Sequence, residues 1–247
     1  MNIAIIGYGK MGKMIESIAI ERGHKITCCI DVENPEDFNS ESFKNSDVAI
    51  EFTTPGTAVE NIEKCFSAGV PVVCGSTGWV NEKVKARGKE TTTLEEMRRR
   101  CEAGEGTLIW ASNFSIGVNI FMAVNKYLSR LMERFPQYEP SMTEVHHIHK
   151  LDHPSGTAIT LAEGIIENLT RIDGWSEEKT NGKVEITALR EGEVPGIHTI
   201  RWDSAVDEIT ITHSAKSRAG FALGAVVAAE WLADKKGFHT INEVLGV

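Results

Sequence analysis

The residues best suited to acid–base chemistry are concentrated in one short segment, 144–157. Two adjacent histidines, His146 and His147, are followed by Lys150, and the segment ends in a Pro-Ser-Gly-Thr turn. A helix-like apolar run over 158–169 comes directly afterwards. Histidine titrates near neutral pH and suits proton transfer, and a helix start offers backbone N–H groups to an anion. The segment therefore predicts a site that binds a carboxylate and delivers protons.

The turn that ends this segment supplies donors for the anion. Hydroxyl and backbone N–H groups are adjacent in Ser155, Gly156 and Thr157. The segment also contains four histidines, which are His146, His147, His149 and His153. A metal cluster or a purely structural role is the alternative use for these histidines. Adjacent histidines on a strand point to opposite faces and no cysteine is near, so we expect no metal.

A nucleotide-binding signature stands at the other end of the chain. Gly7, Gly9 and Gly12 match G-x-G-x-x-G between the strand-like run 2–6 and the helix-like run 13–22. In this motif the first glycine allows a tight turn, the second lets a pyrophosphate approach, and the third allows close helix packing. The context predicts dinucleotide binding, with a plain glycine-rich turn as the alternative.

Asp31 indicates which nucleotide is preferred. It ends the second strand, and its carboxylate could accept hydrogen bonds from the ribose hydroxyls of an adenosine. Val32 follows it in place of an arginine, so a 2′-phosphate would be repelled. We expect NADH to be preferred over NADPH, although Lys10 is a possible partner for that phosphate. A capping or loop aspartate is the alternative interpretation.

The positions of the strands and helices predict how these residues are held. Strand-like runs at 2–6, 25–30, 47–52, 70–74 and 108–111 alternate with helix-like runs at 13–22 and 57–68. This alternation predicts a doubly wound parallel sheet. Ligands of such sheets lie at the carboxyl ends of the strands, so the loops 75–78 and 112–115 are placed to contact a nicotinamide. Ordinary polar turns are the alternative.

The second half of the chain has a different pattern. A helix over 116–135 precedes four strand-like runs, at 142–147, 183–190, 197–202 and 208–213. A helix over 221–233 and a short apolar tail follow. The pattern predicts a second region with mixed or antiparallel pairing. The charged stretch 81–106 is expected to be a surface excursion, with a possible helix over 94–103.

Composition excludes several classes of partner. A net charge of −9 argues against nucleic-acid binding, and no apolar run is long enough for a membrane span. Five cysteines without metal spacing, and no visible secretory signal, predict reduced thiols in a cytoplasmic protein. An anionic ligand would need a locally positive pocket, which the lysine and histidines of 144–157 could supply.

The pattern His-His-x-x-Lys-x-Asp-x-Pro-Ser-Gly-Thr at 146–157 resembles the signature of the dihydrodipicolinate reductase family. Other stretches resemble that family in the same order, at 52–55, 75–78, 111–119, 190–192, 194–198, 211–213, 217–218 and 221–225. The glycine loop is one residue shorter than is usual there, with Lys10 where arginine is common and Ser76 where threonine is common.

The resemblance implies an α/β chain of two domains. A Rossmann doubly wound parallel sheet would use 1–115 plus 219–247, and a smaller α+β domain, 116–218, would bind substrate and form a homotetramer. The implied reaction is the NAD(P)H-dependent reduction of 4-hydroxy-tetrahydrodipicolinate, a cyclic dicarboxylate, to tetrahydrodipicolinate with loss of water. This step belongs to lysine biosynthesis through diaminopimelate.

The resemblance also implies roles for single residues. His146 would be the acid/base residue and Lys150 the proton donor, while His147 contacts the substrate and Gly156 and Thr157 bind its carboxylate. The implied cofactor contacts are Gly7, Tyr8, Gly9, Lys10, Met11, Gly12, Asp31, Gly75, Ser76, Thr77, Ser112, Asn113, Phe114 and Ser115.

Two other functions remain open from the sequence. One is a different Rossmann enzyme acting on an amino-acid-like imine, such as an aspartate dehydrogenase. The other is a nucleotide-sensing regulator without catalysis. The presence of His146, Lys150 and Thr157 argues against the regulator, because a sensor has no use for a proton donor.

Overall fold

The computed structural model describes the whole chain, Met1–Val247. Its strands are β1 (Asn2–Ile6), β2 (Lys25–Ile30), β3 (Val48–Glu51), β4 (Val72–Cys74), β5 (Lys83–Ala86), β6 (Lys89–Thr92), β7 (Thr107–Trp110), β8 (Glu139–His146), β9 (Gly174–Ser176), β10 (Lys183–Arg190), β11 (Ile197–Asp203), β12 (Glu208–Ser214) and β13 (Gly237–His239). Its helices are α1 (Lys10–Glu21), α2 (Glu41–Lys44), α3 (Pro55–Ala68), α4 (Thr93–Glu102), α5 (Ile116–Met132), α6 (Gly156–Ile166), α7 (Ala219–Leu232) and α8 (Ile241–Leu245).

The chain divides into two units, which are described separately. Met1–Ile116 and Ala219–Val247 form the first unit, and Gly117–Arg218 forms the second. No helix in either unit is long and apolar enough to cross a bilayer.

The first unit contains a six-stranded parallel sheet in the order β13-β7-β4-β3-β1-β2. Its central strands are short apolar runs buried on both faces, as expected for parallel strands covered by helices. One apolar cluster joins the sheet to α1 and α7, and a second joins its other face to α3 and α4. These helices on both faces confirm the predicted doubly wound α/β fold.

The order of the strands reverses between β1 and β3. The chain moves from β1 to β2 on one side, and then returns to place β3 on the other side. The loops that follow β1 and β3 therefore begin at a topological switch point, where ligands bind in such sheets. The predicted glycine loop is one of these two loops.

The second unit contains a five-stranded mixed sheet in the order β12-β11-β8-β10-β9. β8 pairs in parallel with β10 and antiparallel with β11, so the predicted mixed pairing is confirmed. Alternate residues of β8 are buried, and the buried face packs with α5 and α6 around Phe121, Leu161 and Trp202.

Several elements differ from the sequence-based expectation. The helix α1 begins at Lys10 instead of 13, because Gly12 packs inside the helix and Gly9 precedes it. The stretch 81–106 contains the hairpin β5–β6, whose turn residues Arg87 and Gly88 have positive φ angles of 50° and 78°. The final segment is not a simple tail, since it forms β13 at the sheet edge and α8.

Candidate active site

The three glycines of the first loop have different surroundings. Gly7 has φ of +90°, and a Cβ there would lie 2.3 Å from the carbonyl oxygen of Phe52. A Cβ on Gly12 would lie 2.2 Å from the carbonyl oxygen of Gly7. Nothing lies within 4 Å of a Cβ placed on Gly9. Packing therefore requires glycine at Gly7 and Gly12, whereas Gly9 leaves open space through which a ligand could approach the backbone.

The N-terminus of α1 follows this open position. Gly9 is its N-cap, no side chain caps it, and its first turn contains no acidic residue. The positive end of a helix of 12 residues is thus available to an anion, with Lys10 exposed beside it. Met11 and Tyr8 are partly buried against the core. The hydroxyl of Tyr8 donates a short hydrogen bond to Glu16, which raises the pKa of Tyr8 to about 12.

Asp31 is fixed beside the glycine loop. One of its carboxylate oxygens accepts a hydrogen bond of 2.8 Å from the backbone N–H of Tyr8, and the other accepts one of 2.8 Å from Val32 N–H. These bonds hold the carboxylate at the end of β2, next to the turn that follows β1. No guanidinium is among its hydrogen-bond partners.

A buried carboxylate that sequence reasoning missed joins the next two loops. Glu51, at the end of β3, is fully buried and accepts hydrogen bonds from the N–H of Thr53 at 3.0 Å and from Ser76 Oγ at 3.1 Å. Cys74 Sγ lies 2.9 Å from its second oxygen. Burial, together with the charge of Glu51, raises the pKa of the Cys74 thiol well above its usual value. An acidic residue ending an apolar strand was the available signal.

The remaining predicted cofactor residues lie in the loops that follow the parallel strands β4 and β7. A Cβ on Gly75 would lie 2.1 Å from the ring of Phe52, and Thr77 is exposed. Ser112 is exposed, whereas Phe114 is 2% exposed and belongs to the core. Ser115 donates its N–H to Asn113 Oδ1 at 2.8 Å. The side chain of Phe114 therefore packs in the core and supports this loop.

In the second unit, the neighbouring strands β8 and β11 bring three ionisable side chains to one buried point. His146 Nε2 lies 3.4 Å from His198 Nε2 and 3.4 Å from Glu144 Oε2. His198 Nε2 lies 3.5 Å from the same carboxylate oxygen. His198 faces Glu144 because the two residues are paired across β8 and β11. Neither Glu144 nor His198 was assigned a role from the sequence.

Glu144 is the centre of this cluster and is fully buried. Its other oxygen accepts a hydrogen bond of 2.9 Å from Ser155 N–H and lies 3.3 Å from a guanidinium nitrogen of Arg190. Burial by itself would raise the pKa of Glu144, but the nearby imidazoles of His146 and His198 and the N–H of Ser155 hold it well below its usual value. The cluster therefore contains a permanent negative charge beside His146.

The other histidines of the segment are engaged separately. His149 lies 3.0 Å from Glu193, and His153 lies 2.9 Å from Glu177. His147 is half-buried just beyond the end of β8. The structure therefore groups His146 with Glu144 and His198 and not with its neighbours in sequence.

Lys150 lies in the loop between β8 and α6. Its ammonium group forms an ion pair of 2.8 Å with Asp152, and this hydrogen bond lowers the pKa of Asp152. The side chain of Lys150 is 22% exposed, so the charge is accessible to a ligand.

The helix α6 begins two residues earlier than expected, at Gly156. Its N-cap, Ser155, is 2% exposed, and its hydroxyl accepts a bond of 3.2 Å from Ala158 N–H. Nothing lies within 4 Å of a Cβ placed on Gly156. The hydroxyl of Ser155 is thus used inside the protein, while the backbone of Gly156 and Thr157 begins the helix beside open space.

Comparisons with known proteins agree with this architecture. The family model described as "Dihydrodipicolinate reductase, N-terminus" matches residues 1–114, and "Dihydrodipicolinate reductase, C-terminus" matches 117–245. The 4-hydroxy-tetrahydrodipicolinate reductase of Christiangramia forsetii is 46% identical over 99% of this chain and 98% of its own length. The enzyme of the same name from Archaeoglobus fulgidus is 33% identical over 99% of this chain and all of its own length.

A solved structure shows the same fold. The dipicolinate-bound dihydrodipicolinate reductase of Paenisporosarcina sp. TG-14 superposes with a TM-score of 0.76 and 22% identity, covering 98% of each chain. Both halves of the sequence match the family models, and full-length relatives share the same name. The nucleotide-binding fold and the His146 segment therefore belong to one known architecture, and this chain is a member of the dihydrodipicolinate reductase family.

Proposed function

We propose that this protein reduces 4-hydroxy-tetrahydrodipicolinate to tetrahydrodipicolinate, with loss of water, in the diaminopimelate route to lysine. The observation that carries the proposal is the buried ionised Glu144 beside His146, close in sequence to the open start of α6, in a chain of this family. The names of the relatives support the same substrate.

The first unit has the features that a nicotinamide nucleotide requires. The open space at Gly9 and the uncapped start of α1 suit a pyrophosphate, and Asp31 suits ribose hydroxyls. The bound nucleotide would supply the hydride. We propose cofactor contacts from the loop 7–12 and from the loops 75–77 and 112–115, which Glu51 and Phe114 help to hold in place.

The second unit supplies position and protons. Hydride addition to a conjugated imine leaves negative charge on the ring, which a proton must neutralise. We propose that Lys150 and His146 provide that proton, and that Glu144, 3.4 Å from His146, holds the imidazole in position. The N–H groups of Gly156 and Thr157 would bind a substrate carboxylate, with His147 as a further contact.

The proposed cofactor preference is for NADH. Both oxygens of Asp31 are held by backbone N–H groups, so its charge stays next to the glycine loop. A 2′-phosphate at that place would meet a fixed carboxylate without a neighbouring guanidinium. We also propose a cytoplasmic location, because all five cysteines are free thiols and the reaction uses diffusible small molecules.

The test is the loss of absorbance of reduced nicotinamide upon addition of 4-hydroxy-tetrahydrodipicolinate. We expect oxidation of the cofactor only when that substrate is present. Oxidation with iminoaspartate instead would favour an aspartate dehydrogenase. Tight NADH binding without turnover of either substrate would favour a nucleotide-sensing regulator.

A further inference from the structure

The cluster of Glu144, His146 and His198 has the dimensions of a metal site. Its three facing atoms form a triangle with sides of 3.4, 3.4 and 3.5 Å, whose centre is about 2.0 Å from each corner, the length of a zinc–nitrogen or zinc–oxygen bond. The three ligand atoms lie within 4.8 Å of one another, and all three residues are buried. The spacing of the three atoms is therefore that of ligands around one small cation.

Hydrogen bonds alone explain this arrangement poorly. A charge-assisted N–H···O⁻ bond is about 2.7–2.9 Å long, which is shorter than any side of the triangle. The oxygen Oε2 of Glu144 is fully buried and has no hydrogen-bond partner. A buried acceptor without a hydrogen-bond partner costs free energy. Two imidazole nitrogens face this oxygen, and a single proton cannot serve both of them equally well. One cation at the centre would satisfy all three groups.

We propose that Glu144, His146 and His198 form a reversible binding site for a divalent transition-metal ion of the zinc type. Two imidazoles and one carboxylate are a ligand set used by zinc enzymes. The hydroxyl of Ser155 lies 3.3 Å from His198 Nε2, close to where a fourth ligand or a water would bind. The second oxygen of Glu144 is already oriented by Ser155 N–H and Arg190.

The surroundings limit the affinity of this site. The nitrogen Nδ1 of His198 is buried without a hydrogen-bond partner, although metal-bound histidines usually donate this N–H to an acceptor. Missing partners of this kind weaken metal binding by about 10–100-fold. The guanidinium of Arg190 adds a positive charge 3.3 Å from Glu144. Metal binding at this site is therefore reversible, and the fold does not depend on it.

Metal binding has a consequence that rests on the proposed function. While Nε2 of His146 binds a metal ion, this nitrogen cannot carry a proton. Zinc should then inhibit reduction of the substrate without displacing NADH from the first unit.

The experiment is a calorimetric titration of the metal-free full-length protein with zinc sulfate, repeated with H198Q and H149Q. We expect one zinc ion per chain for the wild type and binding weaker by at least tenfold in H198Q. The matched control H149Q removes a surface histidine paired with Glu193 and should bind zinc as the wild type does. Equal binding by H198Q, loss of binding in H149Q, or no binding by the wild type would overturn the proposal.

A second measurement needs no variant. Cobalt(II) added to the wild-type protein should give the strong visible absorption of a tetrahedral site, and zinc should remove it. An octahedral spectrum would count against the three-ligand site. If zinc binds as expected but reduction is not inhibited, the metal site stands and the proton-transfer role of His146 fails. If reduction proceeds normally in a protein that binds no zinc, the proposed function stands and the metal site fails.

Discussion

Two buried glutamates perform comparable tasks in the two units. Glu51 joins the ends of β3 and β4, and Glu144 joins the ends of β8 and β11 to the start of α6. A buried charge is tolerated only where several donors compensate for lost hydration. Each glutamate therefore fixes the position of the loops around it. The side chains of those loops that could contact a ligand are held in place as a result.

The first prediction concerns Lys150. The variant K150A should lower kcat by about a hundredfold, the usual scale for loss of a general acid, while the Kd for NADH stays unchanged. Steady-state kinetics and NADH titration measure the two effects. The matched control is K64A, which removes a surface lysine paired at 2.7 Å with Glu60 and should leave kcat unchanged. Loss of NADH binding in K150A would assign Lys150 a structural role.

Asp31 gives a prediction about cofactor choice. The wild type should have a higher kcat/KM with NADH than with NADPH, and D31S should reduce this ratio, because removal of the carboxylate removes its repulsion of a 2′-phosphate. The control is D37N, which changes an aspartate that accepts a hydrogen bond from Asn34 on the same loop. A wild-type preference for NADPH would contradict this assignment.

At the scale of elements, both predicted anion sites are helix starts directly after strand ends. The helix α1 begins after the turn that ends β1, and α6 begins at the buried cap Ser155. The helix α7 contributes to the first of these sites indirectly, since it packs against α1. Glu230 of α7 strengthens this packing through an ion pair of 2.7 Å with Arg22 and a hydrogen bond of 2.7 Å with His24.

The Glu230 contacts predict a pH-dependent stability. The hydrogen bond from Arg22 lowers the pKa of Glu230 below its usual value. A carboxyl whose pKa is lower in the folded protein stabilises it above the unfolded pKa, and this stabilisation is lost as the pH falls through the folded pKa. The variant E230Q should therefore be less stable than the wild type at pH 7, and the difference should shrink below the unfolded glutamate pKa of about 4.3.

The size of this effect is limited by solvent. Because the Arg22 side chain is 40% exposed, we expect a loss of about 1 kcal/mol or less in the free energy of unfolding at pH 7. Urea denaturation between about pH 3 and pH 7, a range that includes the ordinary carboxyl pKa, measures this loss of stability. The control E60Q changes a more exposed glutamate and should have a smaller effect. A constant difference at every pH would contradict the assignment to the Glu230 charge.

At the scale of the whole molecule, one face of the second sheet suits self-association. Residues of four strands align across it, namely Thr187, Thr143, Thr199 and Thr212, with Leu189, Val145, Ile197 and Ser214 in the next row. These residues are uncharged and half-buried or exposed. We propose that copies of this chain meet through these two uncharged rows in a homotetramer, because sheet faces can pack against one another.

This proposal predicts a mass of about four chains in light scattering, since tetramers are a common closed assembly. The variant T199E places a charge in the middle of the Thr row and should yield smaller species. The variant T180E adds the same charge at an exposed turn and should keep the mass of the wild type. A monomeric wild type, or equal masses for all three proteins, would exclude this face as an interface.

Local patterns in the sequence determined much of this architecture. The apolar runs predicted most of the strands, and those at Lys25–Ile30 and Lys183–Arg190 to the residue, because burial of short alternating or continuous apolar runs depends on nearest neighbours. The hairpin at Arg87 and the strand β13 were missed. Arg87 is a non-glycine residue with positive φ, and β13 is a three-residue edge strand, which only pairing with β7 stabilises.

The sequence by itself also predicted site roles for His146, Lys150, Asp31 and the glycine loop, because each stands in a short pattern whose spacing suits that chemistry. Only the tertiary structure decided their partners. His198 is 52 positions from His146 and meets it through the pairing of β8 with β11, and Ser76 reaches Glu51 across β4 and β3. The physical reason is that a buried charge depends on hydrogen-bond donors from strands distant in sequence. The register of the strands determines which donors lie next to the charge, and no local sequence pattern contains that register.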